Sequence, residues 1–261
     1  MLIFSIIVIT SYVFIHAIEM SSFATRVAGR ISNRVALGTT LAQTIYTLSR
    51  LLLIIFLPAL AYLVESGIAL NNYLIMIIIT YILTFTVSIV MIIKINSLQK
   101  FYQIVFEKYT NNTIPLAILK SLVNSTRRNT ASLKSCKEFS VEAIDSYKQA
   151  LKKGDFFDKV ILKKTLVSFL AYIFLITGFF NAFMLAIIFP ENRLTLSQLT
   201  SFFHGFGAVI FAIYLDPMLS RSIDSYSDDT SWLQNVYSIF IGRALSYFVI
   251  IILLSVLLFA I

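Results

Sequence analysis

Six runs of apolar residues, separated by short polar stretches and one long one, set the pattern of the chain. They fall at about 1–18, Val35–Val64, 73–93, 165–189, 198–216 and 236–261. Each approaches or exceeds the ~20 residues that cross a hydrocarbon core of about 30 Å, so six membrane helices are expected. The second run is longer than the hydrocarbon, with Arg50 near its midpoint and Pro58 near its end, which predicts a tilt or kink. The third and fourth are uncharged. The fifth holds His204, Gly205 and Gly207 and is expected to stop at Asp216-Pro217, because proline disfavours a helical conformation in the residue before it. The glycines beside His204 are expected to permit close helix packing.

The polar stretches are uneven. Residues 94–164 carry fourteen lysines and arginines against six acids, and form the one sizeable extramembrane segment between the halves 1–93 and 165–261. Within it Thr113 can cap a short helix with Pro115 in its first turn, and Val141 to Lys153 reads as an amphipathic helix stopped by Gly154. A helical hairpin along the membrane surface is expected, the segment being too small for a separate catalytic domain. Residues 19–34, 94–164 and 216–235 share one face of the membrane, and their lysines and arginines place it in the cytoplasm, with both termini outside.

A weak internal repeat appears at an offset of 159 residues. LPALAYLVES (57–66) aligns with DPMLSRSIDS (216–225), pairing Pro58 with Pro217 and Glu65 with Asp224. The same offset superposes the first three spans on the last three, and an odd number of spans per unit predicts an inverted repeat.

Composition agrees with this class. At 58% hydrophobic residues and a mean hydropathy of +0.86, the chain holds more apolar surface than one soluble core covers. Its net charge of +8 is concentrated beside the membrane, where anionic phospholipids rather than nucleic acid are the expected partners. Cys136 has no second cysteine to pair with, so no disulfide framework or thiolate metal site is available. The first 18 residues lack a basic start and an A-x-A-like cleavage site, and are expected to stay as the first span. No G-x-S-x-G, H-E-x-x-H, P-loop or cysteine-rich zinc pattern occurs, so neither an enzyme nor a cofactor or metal site is expected. SIDSYSDD is only a fragment of the repeated-aspartate signature of membrane phosphoalcohol transferases.

The candidate chemistry lies mainly between His16 and Arg50. Arg26, Arg30 and Arg34 recur every four residues and, on a helix, would form a ladder suited to a diphosphate; equally, they serve as topology determinants that bind lipid phosphate. Arg50 inside an apolar run costs at least ~2.5–3.5 kcal/mol, so it is expected to face a partner or a water-filled cavity. It is either one half of a buried ion pair or a contact for an anionic substrate. His16 and Glu19 stand one helical turn apart, as a structural pair or a proton-coupling element together with His204. Asp216, Asp224 and Glu65 are candidate helix-end or gating acids, whereas Asp228 and Asp229 read as capping residues.

These residues resemble the Amj family of alternate lipid II flippases, which substitute for MurJ in bacterial cell-wall synthesis. The likeness rests on H-A-I-E (16–19), S-x3-R-x2-G (22–29), A-L-x3-L-x6-L-S-R (36–50), Pro58 with an acid seven residues on, and H-G-x10-D-P-x6-D (204–224). It implies a flippase of the bacterial inner membrane that translocates undecaprenyl-diphosphate-linked disaccharide-pentapeptide. Two other readings stay open: a proton-linked transporter of another anionic lipid or small anion, and a membrane scaffold that recruits cell-wall enzymes through residues 94–164.

Overall fold

A computed structural model of the chain describes residues 1–109, 112–125, 159–225 and 229–261. The described residues contain no strand, and six helices are long and apolar enough to cross a membrane. The expected helix at Val141–Lys153, Cys136 and Asp228 lie outside the described residues.

Span one is a single helix, α1 (Leu2–Ile31). Span two comprises α2 (Val35–Ser49), a tighter 3₁₀ turn at Arg50–Leu52 and α3 (Leu53–Glu65). Span three is α4 (Leu70–Ile93), followed by the amphipathic α5 (Ile95–Tyr109) and by α6 (Ile114–Ser125). Span four is α7 (Lys159–Ile188). Span five begins with a short turn at Pro190–Asn192, continues as α8 (Arg193–Ile210), widens to a π-helical turn at Phe211–Leu215, and resumes as α9 (Asp216–Ser225). Span six is α10 (Asp229–Ala260).

Spans two and three keep close to the apolar runs that signalled them, whereas spans one, four, five and six outrun theirs on the side bearing Arg26–Arg34. Span one does not stop near residue 18 but carries Arg26 and Arg30 to its end, because nothing in 19–31 breaks a helix. Arg34 leaves the ladder: Asn33 adopts a left-handed backbone (φ 56°) and turns the chain, and Arg34 stands just before α2 as its N-cap residue. Span two changes geometry at Arg50–Leu52, and Pro58 lies further on inside α3. Span five does not end at Asp216-Pro217. The π turn just before it displaces the regular backbone bonding that a proline interrupts, and the helix continues to Ser225.

By topology, one end of the bundle gathers the starts of α1, α4 and α8 and the finishes of α3, α7 and α10, with Glu65, Asn71, Asn72 and Glu191 beside them. We call this the apolar end, and the opposite one, bearing Arg26–Arg34 and α5–α6, the basic end. The two halves pack alike. Span one packs on spans two and three, span four on spans five and six, and spans three and six join the halves. This is the pairing expected of two inverted three-helix units, each with a broken middle span.

Close crossings at glycines set the geometry: Gly242 of α10 abuts the Thr165 carbonyl and Ser168 of α7, and two others involve the broken spans. At the crossing of α1 and α2, a Cβ on Gly38 would lie 2.7 Å from the Thr25 carbonyl and 2.8 Å from Gly29 Cα, and the Thr25 hydroxyl donates to the Gly38 carbonyl at 2.9 Å. At the crossing of α7 and α8, Gly207 abuts the Ala171 carbonyl and Gly178 abuts the His204 backbone. Gly205 faces open space, so of the two glycines beside His204 only Gly207 serves packing.

Helices α5 and α6 dock on the basic-end halves of α1 and α2. Tyr102, Val105, Phe106 and Ala117 share a core with Ala24, Ala28, Leu41 and Ile45. The Tyr102 hydroxyl donates to Ser21 Oγ at 3.1 Å, and Arg34 donates to the Phe106 carbonyl at 3.3 Å.

Candidate functional site

Spans one, two, four, five and six enclose a cavity of about 510 Å³. On α1, His16, Glu19 and Arg26 lie within one helical stripe and reach it together. Arg50 enters from the 3₁₀ turn of span two, His204 from α8, Asp216 from the start of α9, and Arg243 from α10.

Glu19 is the centre of the polar network. Its Oε1 lies 3.2 Å from Arg50, and its Oε2 lies 3.1 Å from both Arg243 and His16 Nδ1. Arg243 is 1% exposed, contacts His16, and stacks with its guanidinium carbon 4.9 Å from the centre of the Tyr172 ring. Arg50 is more open, with 24% of its side chain exposed. It also meets His204 Nε2 at 3.2 Å and the Tyr46 hydroxyl, and stacks 4.5 Å above the Tyr46 ring. A second pair lies nearer the basic end, where Arg26 donates to Asp216 at 2.9 Å.

Depth follows from helix rise. Taking the apolar end as one face of a hydrocarbon core of about 30 Å, Glu19, Arg50, His204 and Arg243 lie roughly 20–27 Å in. They therefore occupy the third of the core nearest the basic end. Arg50 is central in its helix but not in the hydrocarbon. Arg26 and Asp216 fall beyond 35 Å by the same measure, at the level of lipid headgroups.

Toward the apolar end the cavity stops against packed rings. Tyr12 lies 5.6 Å from Phe56 and 5.0 Å from Phe180, and Phe56 contacts Phe179 at 5.6 Å. The hydroxyls of Tyr12 and Tyr81 both donate to the Ile176 carbonyl, at 2.9 and 3.2 Å. Laterally, α2 and α8 pack on other helices rather than on each other. Exposed Gln43, Tyr46 and Thr47 line the cavity on the α2 side, and exposed Ala212 on the span five side.

Of the residues singled out in the sequence, the fold brings His16, Glu19, Arg26, Arg50, His204 and Asp216 to one cavity. Arg30 and Arg34 do not line it. Glu65 is exposed at the end of α3, away from the cavity, and Asp224 falls in α9, its side chain outside the described residues. Arg243 joins the cavity from span six, a residue not among those singled out in the sequence. Its signal, an arginine within an apolar run, was the one that drew attention to Arg50.

Residues 12–260 match the family described as Amj, Alternate to MurJ. The chain belongs to the Amj family. The match spans every residue that lines the cavity, from Tyr12 to Arg243. No curated protein and no solved structure matches the chain. Amj membership and six apolar helices together make this a multi-pass membrane protein of a family named for standing in for MurJ.

Proposed function

We propose that the protein carries lipid II, the undecaprenyl-diphosphate-linked disaccharide-pentapeptide, from the cytoplasmic to the outer leaflet of a bacterial inner membrane. In this reading the basic end lies in the cytoplasm, as its lysines and arginines favour. The observation that carries the proposal is the placement of three arginines, Arg26, Arg50 and Arg243, on one cavity against two carboxylates, Glu19 and Asp216. With the histidines neutral, that balance leaves one positive charge for an anion in a partly dehydrated site, where guanidinium forks match phosphate oxygens.

The two levels of the cavity suit stepwise entry. The lipid diphosphate lies at headgroup depth, where Arg26 and Asp216 stand, and Arg50 lies further in. The polyprenyl tail stays in lipid on the side where α2 and α8 remain apart. A volume of about 510 Å³ falls among pockets that hold ligands of moderate size, so it encloses the diphosphate and an adjoining sugar, with the peptide outside. The ring cluster around Tyr12 and Phe180 closes the route to the other leaflet, making this the cytoplasm-facing state of an alternating cycle.

The test is rescue of a bacterium depleted of its main lipid II flippase. The unaltered protein is expected to restore growth, and Arg50→Gln to abolish rescue at equal membrane abundance. Arg50→Lys, which keeps the charge but loses the fork, is expected to rescue partially. Failure of the unaltered, correctly inserted protein would favour a second reading, proton-linked transport of another anionic lipid. His16 and His204 support that alternative, because they flank the Glu19–Arg50 pair on either side.

A further inference from the structure

We propose that Glu19 is a built-in counter-anion: it occupies Arg50 while the cavity is empty, gives it up to the incoming diphosphate, and retakes it on release. Arg243 is the positioning residue that makes this exchange reversible. The inference rests on reading the cavity as a diphosphate site.

The two oxygens of Glu19 are held unequally. Oε2 faces Arg243 and His16, in a pocket where Arg243 is 1% exposed and pinned against Tyr172. Oε1 faces Arg50, which is 24% exposed and lines the cavity. Breaking the Oε1 contact leaves the carboxylate still paired with Arg243, so no buried charge is stranded. Arg50 in turn has Tyr46 and His204 as further polar neighbours besides Glu19. The alternative, breaking the Oε2 contact, would strand a fully buried guanidinium, which is far more costly. Exchange therefore takes place on the Arg50 side.

A carrier also has to let go. An unpaired arginine facing a diphosphate in a site of low dielectric would bind tightly and release slowly, whereas transport needs binding that is favourable but readily reversed. A carboxylate about 3 Å away competes for the same guanidinium and lowers the net gain on binding. Glu19 thereby trades affinity for turnover.

The test uses full-length purified protein in detergent, with farnesyl diphosphate as the probe and lipid II flipping in proteoliposomes as the second readout. Glu19→Gln alone leaves Arg243 buried without its carboxylate and threatens the fold. The double variant Glu19→Gln/Arg243→Gln removes one charge of each sign, so net charge cannot account for its effect. It is expected to bind the probe about tenfold tighter than the parent protein and to flip lipid II more slowly. Adding Arg50→Gln should abolish the gain. Glu19→Asp keeps both charges while drawing Oε1 back from Arg50, and should tighten binding by a smaller factor. Damage to the fold weakens binding, so tighter binding separates the proposed role from a structural one. A parent that binds, with Glu19→Asp and the double variant binding no tighter, overturns the counter-anion while leaving the diphosphate reading standing. A parent and variants that all fail to bind the probe overturn both.

Discussion

Arg243 and Arg26 carry the same charge and each meets a carboxylate, yet burial gives the two contacts different weights. Around Arg243 water is excluded, so Arg243→Gln takes the fully buried guanidinium from Glu19, leaves it only the more open Arg50 as an arginine partner, and is expected to cost up to about 3–5 kcal/mol, read as a fall in the unfolding temperature in detergent. Asp216 is 42% exposed on its side chain, so Arg26→Gln is expected to cost no more than about 1 kcal/mol, and less at high salt. Any larger loss of flipping by Arg26→Gln then reflects a role in transport. The sequence disclosed the individual residues better than their partners. His16 and Glu19 are one turn apart and their contact was readable from helix geometry. Arg26 and Asp216 are 190 positions apart, Glu19 and Arg243 are 224 apart, and no local pattern ties either pair together. Arg243 itself was legible by hydropathy, since an arginine in an apolar run demands a partner wherever it occurs.

At the level of helices, hydropathy located all six spans and both ends of span two, but not how far spans one, four, five and six run toward the basic end. An apolar run reports where lipid is, whereas a helix ends where a turn or cap stops it, and between Glu19 and Ile31 there is none. The positions of the breaks in spans two and five were likewise hidden, because proline was the visible signal and the geometry changes lie at Arg50–Leu52 and Phe211–Leu215. Helix contact depends on small residues as much as on apolar ones. Gly38→Val would drive a side chain into the Thr25 carbonyl and separate α1 from α2, at an expected cost of about 1–3 kcal/mol. Because α1 carries Glu19 and span two carries Arg50, the same substitution should weaken flipping beyond its effect on stability. Gly205→Ala, which meets no neighbour within 4 Å, is the matched control and should leave unfolding temperature and flipping close to those of the parent.

For the molecule as a whole, orientation and the closed route make two accessibility predictions. In a background with Cys136 replaced, a cysteine at Glu191 should react with an impermeant thiol reagent from outside intact cells, and one at Lys120 only after the membrane is opened. Phe56→Ala/Phe180→Ala removes the rings that stop the cavity, and should let a reagent applied from outside reach a cysteine placed at Thr47. The π turn of span five ties the two ion-pair levels together. It holds one residue more than an α-helical turn, and each residue in an α-helix advances the azimuth by about 100°. His204 and Asp216 lie on either side of that surplus residue, so it sets the phase between them. Deleting Ala212 would remove the surplus residue and leave the flanks nearly in phase, whereas forcing the turn into α-helical geometry with every residue kept would rotate one flank against the other by about that angle. His204 could then face Arg50, or Asp216 could face Arg26, but the two contacts could no longer form at once.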